Sequence, residues 1–373
     1  MTYDQSRLAD YGWSNFFNTQ LETTDFETLI PVRVTSVHRD RFDLVDPHSE
    51  PATGPNGDRS DPESNGFSLP FDSVVSANAE TDIESVPTVG DWLLYDANTQ
   101  RIKRLLERKS LFQRIGAGHG AGVQLIAANV DTLFIATSCD QDFNLGRLER
   151  YLALANEASV MPIIVLTKAD LTDDTETYRR DAASLMPGIL VECVNAKDPA
   201  SLAPLEVWCG TGQTLAVLGS SGVGKSTMVN ALGVDANQQT QGVREDDAKG
   251  RHTTTNRSIH RLRAGGWLID TPGMRELQLN NMRKGIGEVF ADIEDLISQC
   301  RFSNCGHHSE PGCAINEALG NGTLEPPRFE RYLKLLAEDA RNTETIAERR
   351  SRSRKTTKYQ KSVISEHRQR KGR

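Results

Sequence analysis

Residues 214–230 read TLAVLGSSGVGKSTMVN, and the rest of the chain is arranged around them. An apolar, β-prone run at 215–218 leads into Gly219-Ser220-Ser221-Gly222-Val223-Gly224-Lys225-Ser226-Thr227, after which Met228, Val229 and Leu232 recur at helical spacing. Strand, glycine-rich turn and helix start, in that order, form the context of a phosphate-binding loop. Gly219 and Gly224 let the backbone wrap closely with its N–H groups pointing inward. The helix N-terminus adds partial positive charge. Lys225 has the reach for β- and γ-phosphates, and the Ser226 hydroxyl can ligate Mg²⁺. A plain glycine-rich βα turn with a stray lysine would have to meet every specified position of the motif by accident.

Four other segments make sense beside a bound nucleotide. The strand-like run 266–269 ends in Asp270-Thr271-Pro272-Gly273. A carboxylate there can hold a Mg²⁺-bound water, and the Gly273 N–H can meet a γ-phosphate. Thr167-Lys168-Ala169-Asp170 follows the run PIIVL at 162–166. Asp170 can accept two hydrogen bonds from guanine N1–H and N2–H₂, which adenine does not offer, and the Lys168 stem can cover the base. On its own this T-K-x-D is a strand end with a solvated lysine. Val194-Asn195-Ala196-Lys197 closes the next strand and can offer a backbone N–H to guanine O6. Gly250-Arg251-His252-Thr253-Thr254-Thr255 lies in a polar stretch, 238–256, that reads as a switch, with Thr254 the candidate for ligating Mg²⁺ and sensing the γ-phosphate. The bland alternative for the three threonines is a β-edge.

Phosphoryl transfer needs positioning and charge neutralisation more than covalent chemistry. Lys225, Mg²⁺ and the loop amides supply the charge. Ras-like enzymes place a glutamine just after D-x-x-G to orient water, and here that position is Met274. Methionine cannot do this, and His252 is the best substitute. The order of the segments is also unusual. The guanine-reading pieces (167–170, 194–196) precede the phosphate loop (219–226) instead of following it. Circular permutation accounts for that, since the termini of such a sheet lie close together.

The flanks differ in character. Residues 1–28 open with an amphipathic helix carrying Leu8, Tyr11, Trp13, Phe16 and Phe17, expected to dock on its neighbour. Alternating or apolar runs at 30–35, 41–45, 67–69, 91–95 and 101–106 predict several short strands, a small barrel either of the oligonucleotide-binding type or one that only packs on its neighbour. A Pro/Gly/Ser/Asp-rich insert at 47–66 interrupts them as a loop. From 113 to 280, strands at 132–137, 162–166, 189–194, 215–218 and 267–269, with a helix at 145–158, predict a parallel sheet with helices on both faces. The remainder predicts a helix over 286–296, a Cys/His cluster and a helix from 328 to 348. The expected domains are therefore 1–29, 30–112, 113–280 and 281–373.

The cluster Cys300-x₄-Cys305-x-His307-x₅-Cys313 offers three thiolates and an imidazole within fourteen residues, a closed tetrahedral Zn²⁺ set with a structural role. His308 is the alternative imidazole. Charge is uneven. Residues 341–373 carry 12 Lys/Arg against 3 Asp/Glu, a net of +9 that leaves −17 on the remainder of a chain whose total is −8. A basic tail on an acidic body fits a polyanionic partner. No apolar run reaches the roughly 18 residues needed to span a bilayer. The first residues are neither basic nor apolar, so a cytoplasmic location without membrane association is expected.

At this point the chain resembles the bacterial ribosome small-subunit-dependent GTPases, a circularly permuted ribosome-assembly family. The likeness rests on Gly90-Asp91-Trp92, Ala127-Ala128-Asn129-Val130-Asp131, Asp142-Phe143-Asn144-Leu145, Arg147-Leu148-Glu149-Arg150-Tyr151-Leu152, the T-K-A-D, the phosphate loop, G-R-H-T-T-T, D-T-P-G and the metal cluster. It implies an OB-fold, a permuted P-loop GTPase domain and a mainly α zinc domain, acting as a monomer on the small subunit and its rRNA late in maturation. It also selects His307 over His308 and points to His252 for catalysis. Thr167 stands where many GTPases have Asn, and Asn195 where Ser is usual. Two other functions compete: an RNA-binding scaffold with a vestigial nucleotide site, and an ATPase or ATP-dependent kinase. Intact Lys225, Ser226, Asp270 and Asp170 argue against the first, and Asp170 against the second.

Overall fold

In the computed structural model, which describes residues 4–49, 66–74, 86–115, 123–233, 257–270 and 281–343, the chain begins with three short helices. These are α1 (Gln5–Asp10), α2 (Asn15–Asn18) and α3 (Asp25–Thr28). Their apolar residues dock as expected. Leu8 and Phe17 are fully buried, and Trp13 meets Trp92 edge to face at 4.8 Å between ring centroids.

Five strands follow: β1 (Ile30–Val37), β2 (Arg41–Val45), β3 (Gly66–Pro70), β4 (Trp92–Asp96) and β5 (Arg101–Leu105). β1 pairs antiparallel with β2 and β4, β2 with β3, and β4 with β5. One parallel bridge, Val74 to Ile102, leads from the segment after β3 back to β5. The pairings make a ring in the order β1-β2-β3-β5-β4 around Val32, Val34, Phe42, Leu44, Leu93 and Ile102. These residues alternate along their strands because successive side chains point to opposite faces. A separate hairpin, β6 (Leu111–Ile115) with β7 (Val123–Ala128), comes next. Residues 112 and 113, the expected edge between two domains, are neighbours inside β6.

The α/β unit contains β8 (Thr132–Ser138), α4 (Leu145–Glu157), β9 (Met161–Thr167), α5 (Thr175–Ala183), β10 (Leu190–Cys193), α6 (Ala203–Glu206), β11 (Thr214–Gly219), α7 (Lys225–Leu232), β12 (Arg257–Arg261) and β13 (Trp267–Asp270). The sheet runs β10-β9-β8-β11-β13-β12, parallel except for β12. All seven residues of β8 are buried, as a strand covered on both faces requires. Alternation divides the unit between two cores. Leu133, Ile135, Ile164, Leu166, Ala216 and Leu218 face α4, while Phe134, Ile163, Val165, Leu215 and Leu268 face Met228 and Val229 of α7.

Sequence pattern did not foresee β12 (RSIHR), which has a single apolar residue. It pairs with β13 on one side and with β1 on the other, through Ser36 to Ser258 and Val37 to Arg257. The ring and the parallel sheet thus form one 11-stranded sheet.

The C-terminal helices are α8 (Arg283–Val289), α9 (Ala291–Ser298), α10 (Ala314–Asn321) and α11 (Pro326–Thr343). The single helix expected over 286–296 is two, broken at Phe290. The break buries Phe290 completely, 5.4 Å from the Tyr332 ring and under the Arg328 guanidinium. α10 was not foreseen, and α11 starts at Pro326, two residues earlier than expected, as suits a proline in a first turn. No helix among the described residues is long and apolar enough to cross a membrane.

Candidate functional site

The candidate nucleotide residues among those described converge on the carboxyl edge of the parallel strands, where open α/β sheets bind ligands. β11 carries the phosphate loop between β8 and β13. β9 ends in Thr167 and β10 leads to Asn195 and Ala196, while Asp270 ends β13, exposed. Gly219 is dictated by close approach: a Cβ there would come within 2.2 Å of the Ala136 carbonyl oxygen. Gly224, at φ +92°, caps α7, and Lys225 and Ser226 open that helix with Thr227. The Lys225 ammonium donates to the carbonyls of Gly219 (2.9 Å) and Ser220, so it lies folded over the loop mouth. Ser221 and Gly222 are exposed, and Val223 is buried beneath them.

Thr167 ties the candidate base-reading segment to the candidate phosphate loop. It is fully buried, with its hydroxyl between the carbonyls of Thr137 (3.2 Å) and Val223. Threonine in place of asparagine therefore still makes a side-chain bridge here. Lys168 adopts a left-handed backbone at φ +56°, and its ammonium meets Asp140 at 2.9 Å. The Ser138 hydroxyl, the Asp142 N–H and Lys168 hold the Asp140 carboxyl down to about 2. That fixes the direction of the lysine stem at the base site. Asp170 sits exposed on the 3₁₀ turn that follows. The Ala169 N–H donates to the Val194 carbonyl at 3.3 Å, which sets Asn195 and Ala196 beside the T-K-A-D. The Asn195 side chain accepts from the Lys197 N–H, closing its own loop.

Gly250, Arg251, His252, Thr253, Thr254, Thr255, Thr271, Pro272, Gly273 and Met274 lie outside the described residues, as do all but the ends of the 47–66 insert and of the 341–373 tail.

The quoted resemblance motifs hold the scaffold together. In Gly90-Asp91-Trp92, a Cβ on Gly90 would meet the Ala128 carbonyl at 2.1 Å. Asp91 is fully buried in a two-bond ion pair with Arg108, both contacts 2.8 Å, and burial raises its carboxyl pKa against that pull. Asn129 accepts from the Lys109 N–H and donates to the Gly90 carbonyl, and Asp131 accepts from the Thr214 N–H at 2.8 Å. Asn144 caps α4, accepting from the Arg147 N–H at 2.9 Å. Sequence reasoning gave no role to Asp140 or Arg147, which reach Lys168 and Ser220 far along the chain.

The metal candidates also converge. The ligand atoms of Cys300, Cys305, His307 and Cys313 all lie within 4.8 Å of one another. Cys300 Sγ is 4.0 Å from Cys313 Sγ, and His307 Nδ1 is 3.7 and 3.5 Å from those two sulfurs. A tetrahedral ion with Zn–S bonds of about 2.3 Å sets S–S separations of about 3.8 Å, so three thiols and Nδ1 fit the group. His308 is not among the converging residues. Its N–H instead donates to Glu310, whose carboxylate also takes the N–H groups of Gly306 and Ser309 and is held down to about 2 by them.

Known proteins agree with this geometry. Residues 105–280 match the RsgA GTPase family. The small ribosomal subunit biogenesis GTPase RsgA of Mesorhizobium japonicum is 46% identical over 353 residues, 92% of this chain and 93% of that protein. RsgA 2 of Vibrio parahaemolyticus is 47% identical over 363 residues, 97% of this chain and 94% of that protein. Among solved structures, YjeQ from Thermotoga maritima superposes with a TM-score of 0.57 at 24% identity, covering 83% of this chain and 98% of that one. YloQ, described as a circularly permuted GTPase, superposes at 0.55 and 22% identity, covering 86% and 98%. These two speak to the fold. With base-reading strands ahead of the phosphate-loop strand and near-complete overlap with such relatives, the chain belongs to the small ribosomal subunit biogenesis GTPases of the RsgA family.

Proposed function

We propose that this protein hydrolyses GTP to GDP and phosphate on the small ribosomal subunit, late in that subunit's maturation, with the subunit as activator. The observation that carries the reading is Thr167, which braces the guanine-reading turn and the phosphate loop against each other. In this reading Asp170, Lys168 and the Asn195–Ala196 backbone bind the base. Residues 219–227, Asp270 and Gly273 bind the phosphates. Ser226 and Thr254 ligate the Mg²⁺ that travels with GTP and neutralises phosphate charge, and His252 orients the attacking water.

We assign residues 30–112 to an OB-fold, supported by the strand ring and its parallel closing bridge, with 1–29 as its extension. Residues 113–280 form the permuted GTPase unit. Residues 281–373 form a zinc domain, in which Cys300, Cys305, His307 and Cys313 hold one structural Zn²⁺, and a basic tail. The ring and the tail contact rRNA. The protein acts as a monomer in the cytoplasm.

Phosphate release from GTP and from ATP by the purified chain tests the activity. GTP should be turned over, and excess ATP should fail to compete. Equal turnover of ATP would overturn the guanine assignment.

A further inference from the structure

Two faces of α4 are committed in different directions. On one, the Arg147 guanidinium donates to the Ser220 hydroxyl of the phosphate loop, held there by both oxygens of Asp142 at 2.8 Å. Tyr151, four residues on, lies beside the same side chain, and burial raises its phenol pKa. Residues four apart share a helix face, so both side chains face that loop residue, and Arg147 bonds it.

Between them, Glu149 is fully buried and points to the C-terminal helices. It accepts from Arg328 at 3.2 Å and from Arg331 at 2.6 Å. Arg150 pairs with Glu338. Arg331 lies across the first turn of α4, where a Cβ on Gly146 would come within 3.2 Å of its Cδ. On the same helix, a Cβ on Gly285 of α8 would meet the Ala153 carbonyl at 2.2 Å, and the Gly285 N–H donates to Glu157 at 2.8 Å. A buried carboxylate between two guanidiniums tolerates no loss of a partner. α11 therefore cannot shift on α4 without α4 responding.

We propose that Arg147 is a positioning residue for the phosphate loop, and that α4 transmits the docking state of α11 to Ser220 and so to nucleotide affinity. The inference rests on the GTPase reading above. Linkage makes such a coupling reciprocal: nucleotide must affect α11 as much as α11 affects nucleotide.

The test uses the full zinc-loaded chain. Affinity for GTP and GDP is measured with a fluorescent guanine nucleotide, alongside zinc content and hydrogen exchange in α11. Arg147→Lys and Ser220→Ala should each weaken binding, and the double variant should bind no worse than the poorer single, because they break one contact. Glu338→Gln, at a partly exposed pair remote from the loop, should weaken binding at least about fivefold, the low end of allosteric coupling. Nucleotide should in turn slow exchange in α11 of the wild type. Unchanged affinity in Glu338→Gln and Arg331→Lys, with zinc retained, would overturn the inference while leaving the GTPase reading intact. A wild-type chain that binds no guanine nucleotide would overturn both.

Discussion

Asp170 meets guanine, in the proposed site, with its two carboxylate oxygens. Two hydrogen bonds to a charged acceptor, at about 1.5–3 kcal/mol each, put the loss on Asp170→Asn at roughly 10²-fold or more in GTP affinity. The amide can donate to the extra oxygen of xanthine, so the variant should gain xanthosine triphosphate as a ligand. Competition between the two nucleotides checks this, and unchanged GTP preference would remove Asp170 from the base site. His252→Ala should bind GTP nearly as the wild type does yet lose roughly 10²–10⁴-fold in turnover, the usual range for a positioned proton-handling side chain. Single-turnover phosphate release measures it, and undiminished release would give the water to another group. At this scale the sequence was legible where function is local. The phosphate loop and T-K-A-D declare themselves by spacing within eight residues or fewer. Asp140 and Arg147 do not, because their partners Lys168 and Ser220 lie 28 and 73 positions away. Asp140 had one faint local signal, an acidic residue just past a fully buried strand.

The Cys/His knuckle shows the same division among elements. Four candidate ligands in fourteen residues pointed to a metal, while the fold that presents them was less readable. α10 is capped by Cys313, whose sulfur accepts the Asn316 N–H at 3.5 Å, so a candidate ligand doubles as a helix cap. Cysteine is not a usual capping residue, and the start of α10 was hidden for that reason. The break between α8 and α9 was hidden because apolar spacing runs through Phe290 without a proline or glycine to stop it. Cys305→Ser should lose the zinc and unfold the knuckle, since structural zinc supplies folding free energy directly. Metal analysis and hydrogen exchange over 299–313 should register both losses, with β8, β9 and β11 staying protected. Stoichiometric zinc in the purified variant would refute the ligand set.

Across the whole molecule, the expected units are less separate than composition suggested. β12 welds the strand ring to the parallel sheet, and the N-terminal helices bridge the two. Trp13 packs on Trp92 of β4, while Tyr11 packs on Trp267 of β13 at 5.0 Å. Arg33, fully buried with its pKa drawn down to about 10 by burial, donates to the Tyr11 carbonyl and to Thr214 Oγ1 at 2.8 Å. Those long-range bonds could not be read from periodicity, whereas the permuted order of the nucleotide segments could. A partner that grips the ring or the C-terminal helices therefore grips the nucleotide unit as well. The most direct test of the account is GTP turnover with purified small subunits, large subunits or neither. The account predicts acceleration by small subunits alone, of the order of 10³–10⁵-fold as in activator-completed GTPases. Equal rates in all three, or stimulation by large subunits alone, would contradict it.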